Sequence, residues 1–370
     1  MSMAEIKGGS FQPNYAVPPG ETLRETLEFL AMTQAQLADR TGRPKKTINE
    51  IISGKAAITA ETALQLERVL GVPASFWSNL ERNYQETLAR LKEEEELHSH
   101  KEWLKNFPAA AITKFGWLPK EDSPVRKLKV LLNFFGVAGV EEWIALWQSP
   151  QAAYRSSVSF QRNPYAVAAW LRQGEIEAQK RECNVYNVNS FKTSLNRVRG
   201  LTLEPPEKFE PEMKNLFDEA GVAIVFVREL SGTRVYGATR WLSPTKALIQ
   251  LSLRGKSDDH LWFTFFHEAG HILLHGKKDV FIEAKGEGCR ETDTNDKECQ
   301  ADKFSQDFLI PSEKYQVFKE NGQFTLLAIK QFANELGIAP GIVVGRLQHD
   351  KVIQFSKANN LKKRFRFAEN

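Results

Sequence analysis

A chain of 370 residues, 42% hydrophobic and 26% charged, has the composition of a globular protein and the length of two or three domains. No apolar run reaches the about 18 residues of a membrane span, and the N-terminus lacks the features of a secretory signal. The scattered cysteines Cys183, Cys289 and Cys299 fit a reducing compartment, so we expect a cytoplasmic protein. The net charge of +4 is too small to identify a partner.

After an N-terminal arm (1–17), residues 18–80 carry the signals of five short helices. Thr33 with Gln36 forms a capping box that opens TQAQLADRTG, Gly42 closes that helix, and Pro44 begins the next one. A short helix, a glycine turn and a second helix with a polar outer face are the helix-turn-helix pattern.

The segment from Arg40 to Lys55 contains five basic residues and one acid, Glu50. Phosphate contacts need such a positive surface, and polar side chains on the second helix are placed to reach base edges. The predicted DNA-contacting residues are Gln34, Arg43, Lys45, Lys46, Thr47, Asn49 and Lys55. The alternative is a helical module whose basic face is only solvated.

The stretch from PPGETLRETLEFLAMTQ to LERVLGVPASFW, roughly residues 18–80, resembles Xre-type helix-turn-helix proteins of the HigA-like antitoxin and repressor branch. The resemblance implies a homodimer that binds a palindromic double-stranded DNA operator. For many such proteins it also implies a cognate toxin that the chain neutralises.

Residues 81–160 are predicted to form a helical connector, because the fifth helix runs on into Glu93–Glu96 and the following region is rich in Trp, Leu, Phe and Ala. Residues 161–350 form the next predicted domain. Helices are expected at about 165–180, 187–199 and 209–220, followed by strands at 222–227, 233–239 and 247–253. The fold class is therefore mainly α with a small β-sheet (α+β).

The apolar run LWFTFFHEAGHILL contains the motif His267-Glu268-Ala269-Gly270-His271. On a helix, residues four apart share one face, so His267 and His271 are placed to bind one zinc ion. Glu268 is placed to act as general base on a metal-bound water. The alternative is a core helix with two buried histidines and a glutamate. A sheet followed by such a helix is the zincin plan, in which an edge strand, here Ala247–Leu253, pairs with an extended substrate.

A catalytic zinc site needs a third protein ligand. His275 lies four residues after His271, as His271 lies four residues after His267. On a straight helix, however, side chains from three consecutive turns cannot easily all reach one ion. Glu298 in ECQADKFSQDFLIP is the other candidate, although Asn295 and Glu298 also match a capping box. The periodicity does not decide between these roles for Glu298. His260, His275, Tyr236 and Arg240 remain open as donors to the oxyanion.

The pair FTFFHEAGHILLHG and ECQADKFSQDFLIP resembles the ImmA/IrrE metallopeptidases, and the likeness spans roughly residues 165–350. The resemblance implies that His267, His271 and Glu298 bind Zn²⁺ and that Glu268 is catalytic. Asp302, one turn after Glu298, is then expected to orient a histidine, and His275 is a second candidate for such a supporting role. The polar linker from Ala284 to Lys297 is expected to be a lid or a disordered loop.

The segment 328–350 has a helix-turn-helix rhythm without a basic outer face, and the tail 351–370 is basic and expected to be frayed or packed. The leading hypothesis is a DNA-binding regulator, antitoxin-like, with a zinc endopeptidase domain that cleaves a regulatory protein. The alternative is a HigA-like antitoxin or repressor whose zinc-peptidase fold is a non-catalytic sensor or scaffold. A third possibility is an enzyme that uses the helix-turn-helix to dock proteins.

Overall fold

The computed structural model describes residues 15–148, 163–277, 280–284 and 297–368. The chain divides into two compact units, Met1–Glu102 and Trp103–Asn370. Within the described residues no single helix is long and apolar enough to cross a membrane, and one bent pair of helices passes that test by length and composition. The mainly α architecture with a small sheet agrees with the predicted fold class.

The N-terminal unit consists of the five predicted helices, which are α1 (Pro19–Phe29), α2 (Gln34–Thr41), α3 (Lys45–Ile52), α4 (Ala60–Leu70) and α5 (Ala74–Ser99). The capping box of Thr33 and Gln36 is confirmed, and Gly42 ends α2 with a φ of 67°. Gly20 lies inside α1, where a Cβ atom would be 2.3 Å from the carbonyl oxygen of Ile51. Only glycine therefore lets α1 pack so closely on the end of α3.

The C-terminal unit begins with helices α6 (Ala109–Lys114), α7 (Pro124–Phe135) and α8 (Val140–Trp143). They are followed by α9 (Pro164–Gln179), α10 (Val188–Gly200) and α11 (Pro206–Glu219), then by strands β1 (Val222–Phe226), β2 (Val235–Ser243) and β3 (Lys246–Leu251). The chain continues through α12 (Asp258–Leu274), β4 (Phe281–Ala284) and α13 (Lys297–Leu309). It ends with α14 (Ser312–Glu320), α15 (Leu326–Leu336) and α16 (Pro340–His349).

The four strands form a mixed sheet in the order β1-β3-β2-β4. β1 pairs with β3 in parallel, and β2 pairs with both β3 and β4 in antiparallel fashion. The prediction that Ala247–Leu253 is an edge strand is wrong, because β3 is paired on both sides. The terminal strands are β1 and β4, and β4 was not predicted as a strand.

The sheet separates two hydrophobic cores, to which alternate residues of each strand contribute as the two-residue period of a strand requires. Val222 and Ile224 pack on the side of α12, whereas Ala223 and Val225 pack on the side of α9. Buried residues of α6, α7 and α8 belong to the α9 side. These helices therefore share a core with the sheet, while the predicted domain boundaries near 80 and 160 stay predictions.

The end of the chain packs against the start of α12. The Lys362 ammonium lies 2.6 Å from the Asp259 carboxylate, and Phe365 packs edge-on against Phe209 at 5.6 Å. α16 is largely buried and contacts α12, which makes it part of the core of this unit. The basic residues at the end of the described chain therefore include a structural ion pair.

Candidate functional site

The HExxH motif lies in the middle of α12, which is apolar on nearly all sides because it packs between the sheet, α13 and α16. His267, Glu268 and His271 are exposed by 2%, 0% and 2%. Buried polar groups need partners, so the surroundings of these three side chains decide what they can do.

Three ligand atoms converge on one point between α12 and α13. The Nε2 atoms of His267 and His271 are 3.0 Å apart, and Glu298 Oε2 lies 3.1 Å from the first and 3.4 Å from the second. These are the only described His, Cys, Asp or Glu side chains that form such a cluster. Glu298 therefore faces the two histidines, whereas its alternative capping partner, Asn295, lies outside the described residues.

The spacing of these atoms fits a tetrahedral metal ion. Zinc–ligand bonds of about 2.0–2.1 Å place neighbouring ligand atoms about 3.3 Å apart. The three separations in the cluster, 3.0, 3.1 and 3.4 Å, lie close to that value. A single proton could bridge only one pair of these atoms, whereas a metal ion would satisfy all three.

Both histidines are oriented through the ring nitrogen that faces away from the cluster. His267 Nδ1 is 2.8 Å from Asp302 Oδ1, and His271 Nδ1 is 2.9 Å from His275 Nδ1. His275 Nε2 in turn lies 3.2 Å from Gln300 Oε1. Asp302 therefore contacts His267, and His275 contacts His271; contacts of this kind fix the tautomer of a metal-binding histidine, and the supporting roles of the two residues stay predictions.

Without a metal ion, hydrogen bonding and burial set the charges of the cluster. Burial lowers the pKa of His267, but hydrogen bonds to Asp302 and Glu298 outweigh it and hold the pKa well above its ordinary value. Burial lowers the pKa of His271 to about 4. Burial raises the pKa of Glu298, yet hydrogen bonds from the two histidines lower it far more.

Glu268 lies between α12 and strand β2. A Cβ atom on Gly237 would be 2.7 Å from Glu268 Oε1, so the carboxyl group rests directly on the backbone of the strand. Thr239 donates a hydrogen bond to the backbone carbonyl of Glu268 at 3.1 Å and holds this turn of the helix. Neither carboxyl oxygen has a hydrogen-bond partner among the described residues, and burial raises the pKa of Glu268 well above its ordinary value.

Glu283 of β4 is a further, half-buried carboxyl group near the cluster, and it is not among the residues predicted from the sequence. Burial raises its pKa to about 7, and the charge of His267 opposes that rise. The only signal in the sequence is one acid in the short apolar run FIEA, directly before the linker. The linker itself lies outside the described residues between 285 and 296.

The structure separates the four candidate oxyanion donors. Arg240 donates to the carbonyl of Leu171 and pairs with Glu175 on α9, on the opposite side of the sheet from the cluster. Tyr236 and His260 stack at 5.7 Å beside the start of α12. His275 contacts His271 directly, as described above. Arg240 is therefore directed away from the site.

Two cysteines belong to the described residues. Cys183 is a free thiol, and Cys299 is disulfide-bonded. Neither belongs to the ligand cluster of the described residues. The bonded Cys299 gives no support to the argument from cysteines to a reducing compartment.

In the N-terminal unit, the predicted DNA-contacting residues lie at the start of α2 (Gln34), in the turn (Arg43), along α3 and after it (Lys55). Lys45, Lys46 and Asn49 are exposed on α3. The Arg43 guanidinium instead contacts Gln65 at 2.5 Å and Glu61 at 3.5 Å, both on α4. Arg43 therefore has a structural contact that the sequence did not suggest.

Family models match both ends of the chain. One described as a helix-turn-helix matches residues 23–77, and one described as an IrrE N-terminal-like domain, a peptidase family, matches residues 220–348. Both resemblances stated from the sequence are thereby confirmed.

Individual relatives cover a small part of the chain. Virulence-associated protein I of Dichelobacter nodosus is 39% identical over 70 residues, which are 19% of this chain and 65% of that protein, less than two thirds of its length. The uncharacterized HTH-type transcriptional regulator YddM of Escherichia coli is 32% identical over 63 residues, 17% of this chain and 67% of that protein.

One similar solved structure is an addiction module antidote protein of the HigA family from Coxiella burnetii. It is 35% identical to this chain with a TM-score of 0.22, and the match covers 23% of this chain and 92% of the antidote protein. The chain therefore carries a helix-turn-helix domain in its N-terminal unit and a domain of the IrrE N-terminal-like peptidase family in its C-terminal unit.

Proposed function

We propose that the chain is an antitoxin-like transcriptional regulator whose C-terminal domain is a zinc-dependent endopeptidase that cleaves a regulatory protein. The regulator binds its operator as a homodimer in the cytoplasm, and its protein partner is the substrate or a cognate toxin. The observation that carries the peptidase proposal is the convergence of three ligand atoms beside Glu268, a buried carboxyl group without a hydrogen-bond partner among the described residues.

His267, His271 and Glu298 are the residues that hold the metal ion in this proposal. When bound, zinc supplies Lewis-acid activation of the scissile carbonyl and of the attacking water. Glu268 accepts the proton of that water and passes it to the leaving amine, a role that suits a carboxyl group whose pKa is raised by burial. Thr239 keeps Glu268 in place through its backbone carbonyl.

Substitution of Glu268 by glutamine tests proteolysis. The variant keeps the shape of the side chain but cannot accept the proton, so we expect cleavage to fall by at least about 100-fold. Peptide-terminus profiling of cells that express the wild type should show a new terminus that is missing with Glu268→Gln. The matched control is Glu313→Gln, an exposed acid on α14.

Identical terminus profiles for the wild type and Glu268→Gln would contradict proteolysis and favour a metal-binding domain that only senses or scaffolds. In that case DNA binding would still be expected, because the DNA-contacting residues belong to the other unit.

Operator recognition is tested by gel-shift titration on the DNA upstream of the coding sequence. Lys46 is exposed on α3, so Lys46→Ala should weaken binding to all DNA sequences. The salt dependence of binding should show that about one counterion fewer is released from the DNA. Asn49→Ala should instead relax the preference at one base pair. If Asn49→Ala leaves the base preference intact, another residue reads the operator.

A further inference from the structure

Glu283 of edge strand β4 is a carboxyl group beside the site that the proposed hydrolysis does not use. It pairs in register with Gly237 of β2. Side chains at paired positions project from the same face of a sheet, and Gly237 faces Thr264 and Glu268 of α12. Glu283 therefore lies on the face of the sheet that carries the HExxH helix.

Oε2 of the Glu283 carboxyl group has no hydrogen-bond partner in the described part of the chain. Thr264 of α12 lies beside the group, and Oε2 is shielded from solvent. An unsatisfied buried carboxylate oxygen is costly. A donor at this position would remove that cost, and a bound substrate can bring one.

The charges around Glu283 also favour a cation. Glu268, Glu298 and Asp302 are all close enough to interact with its charge, and His267 is the one basic group among its main electrostatic partners. A histidine that binds metal cannot also carry a proton on the same nitrogen. Carboxyl groups therefore outnumber basic groups around Glu283, which favours a cationic ligand over an anionic one.

We propose that Glu283 determines substrate specificity by binding a lysine or arginine side chain of a peptide that pairs with strand β4. The inference rests on the proposed peptidase function. β4 is a terminal strand of the described sheet, so an extended peptide can add to it through backbone hydrogen bonds. A guanidinium or ammonium group then donates a charge-assisted hydrogen bond to Oε2.

The test compares two short peptide hydroxamates that differ only in arginine or citrulline beside the hydroxamate. Citrulline has the shape of arginine without its charge, and binding requires no turnover. In isothermal titration of the zinc-loaded full chain, the arginine probe should bind at least about tenfold more tightly than the citrulline probe. Glu283→Gln should bring the ratio of the two affinities to about one, with metal content and citrulline affinity unchanged.

Glu175→Gln is the matched control, because it removes a partly buried carboxylate on the other side of the sheet and should keep the ratio. Equal affinities in the wild type, no binding of either probe to zinc-loaded protein, or a ratio that survives Glu283→Gln would overturn the proposal. The ratio of the two probe affinities in the wild type tests the proposal even if the Glu283→Gln variant does not fold. A protein that takes up no zinc is detected by elemental analysis before the titration, and that result contradicts the proposed function itself.

Discussion

At the scale of single residues, Asp302 decides which nitrogen of His267 faces the ligand cluster. Its carboxylate lies 2.8 Å from Nδ1, which leaves Nε2 directed toward His271 and Glu298. Asp302→Asn keeps the shape but replaces the charged acceptor. We expect zinc affinity, measured by competition with a chromophoric chelator, to fall about 10- to 100-fold.

The control for Asp302→Asn is Asp307→Asn on the same helix, whose carboxylate contacts Ser312 instead of a histidine. Its zinc affinity should equal that of the wild type. Equal losses in both variants would mean that helix α13 is generally sensitive and that Asp302 does not orient His267.

The residues of the candidate site differ in how far the sequence alone predicts them. His267, Glu268 and His271 are recognisable because the helix period fixes their relative positions. Glu298 is ambiguous by periodicity, since the start of a helix also favours a capping acid, and tertiary contact is what places it against the histidines. Glu283 has no periodic signal, because a single acid in a four-residue strand acquires its neighbours only through the register with β2.

At the scale of elements, α16 fixes the start of α12 by means of two glycines one turn apart. A Cβ atom on Gly341 would lie 2.3 Å from the Asp258 carboxylate, and one on Gly345 would lie 2.6 Å from Asp259. The acids at the N-terminus of α12 thus occupy space that a side chain on α16 would fill. Their position also suits the positive end of the helix dipole.

Gly345→Ala should therefore force α16 away from α12 and lower the free energy of unfolding by about 1–3 kcal/mol, as judged by urea denaturation. The matched control is Gly200→Ala, because Gly200 has a helical φ of −67° and open space around it. That substitution should be neutral or stabilise the protein by up to about 1 kcal/mol. Equal effects of the two substitutions would show that the close approach of α16 is not maintained in solution.

The order of the strands was less predictable from the sequence than the existence of β1, β2 and β3. The sequence predicts ALIQLSL as an edge, yet residues 247–251 are all buried, as is typical of an interior strand that is covered on both faces. Its buried Gln250 donates to the backbone carbonyl of Trp170 on α9, a contact between residues 80 positions apart. Such long-range pairing leaves no local pattern, so the sheet order comes from tertiary packing.

At the scale of the whole molecule, the two units differ in how local their cores are. The core of the N-terminal unit consists of residues between Leu23 and Trp77, so capping and periodicity suffice to outline its helices. In the C-terminal unit, Arg199 donates hydrogen bonds to the carbonyls of Phe308, Leu309 and Leu336, more than 100 positions away. Here the sequence identifies motifs, whereas their assembly depends on distant contacts.

The central claim is that the two histidines and Glu298 form a metal site, and elemental mass spectrometry of the purified full chain tests it most directly. We expect about one zinc ion per chain in the wild type and a large loss of zinc in Glu298→Ala, with no loss in the exposed control Glu313→Ala. A wild type that takes up no zinc even when zinc is supplied, or a Glu298→Ala variant that binds zinc as tightly as the wild type, would contradict it.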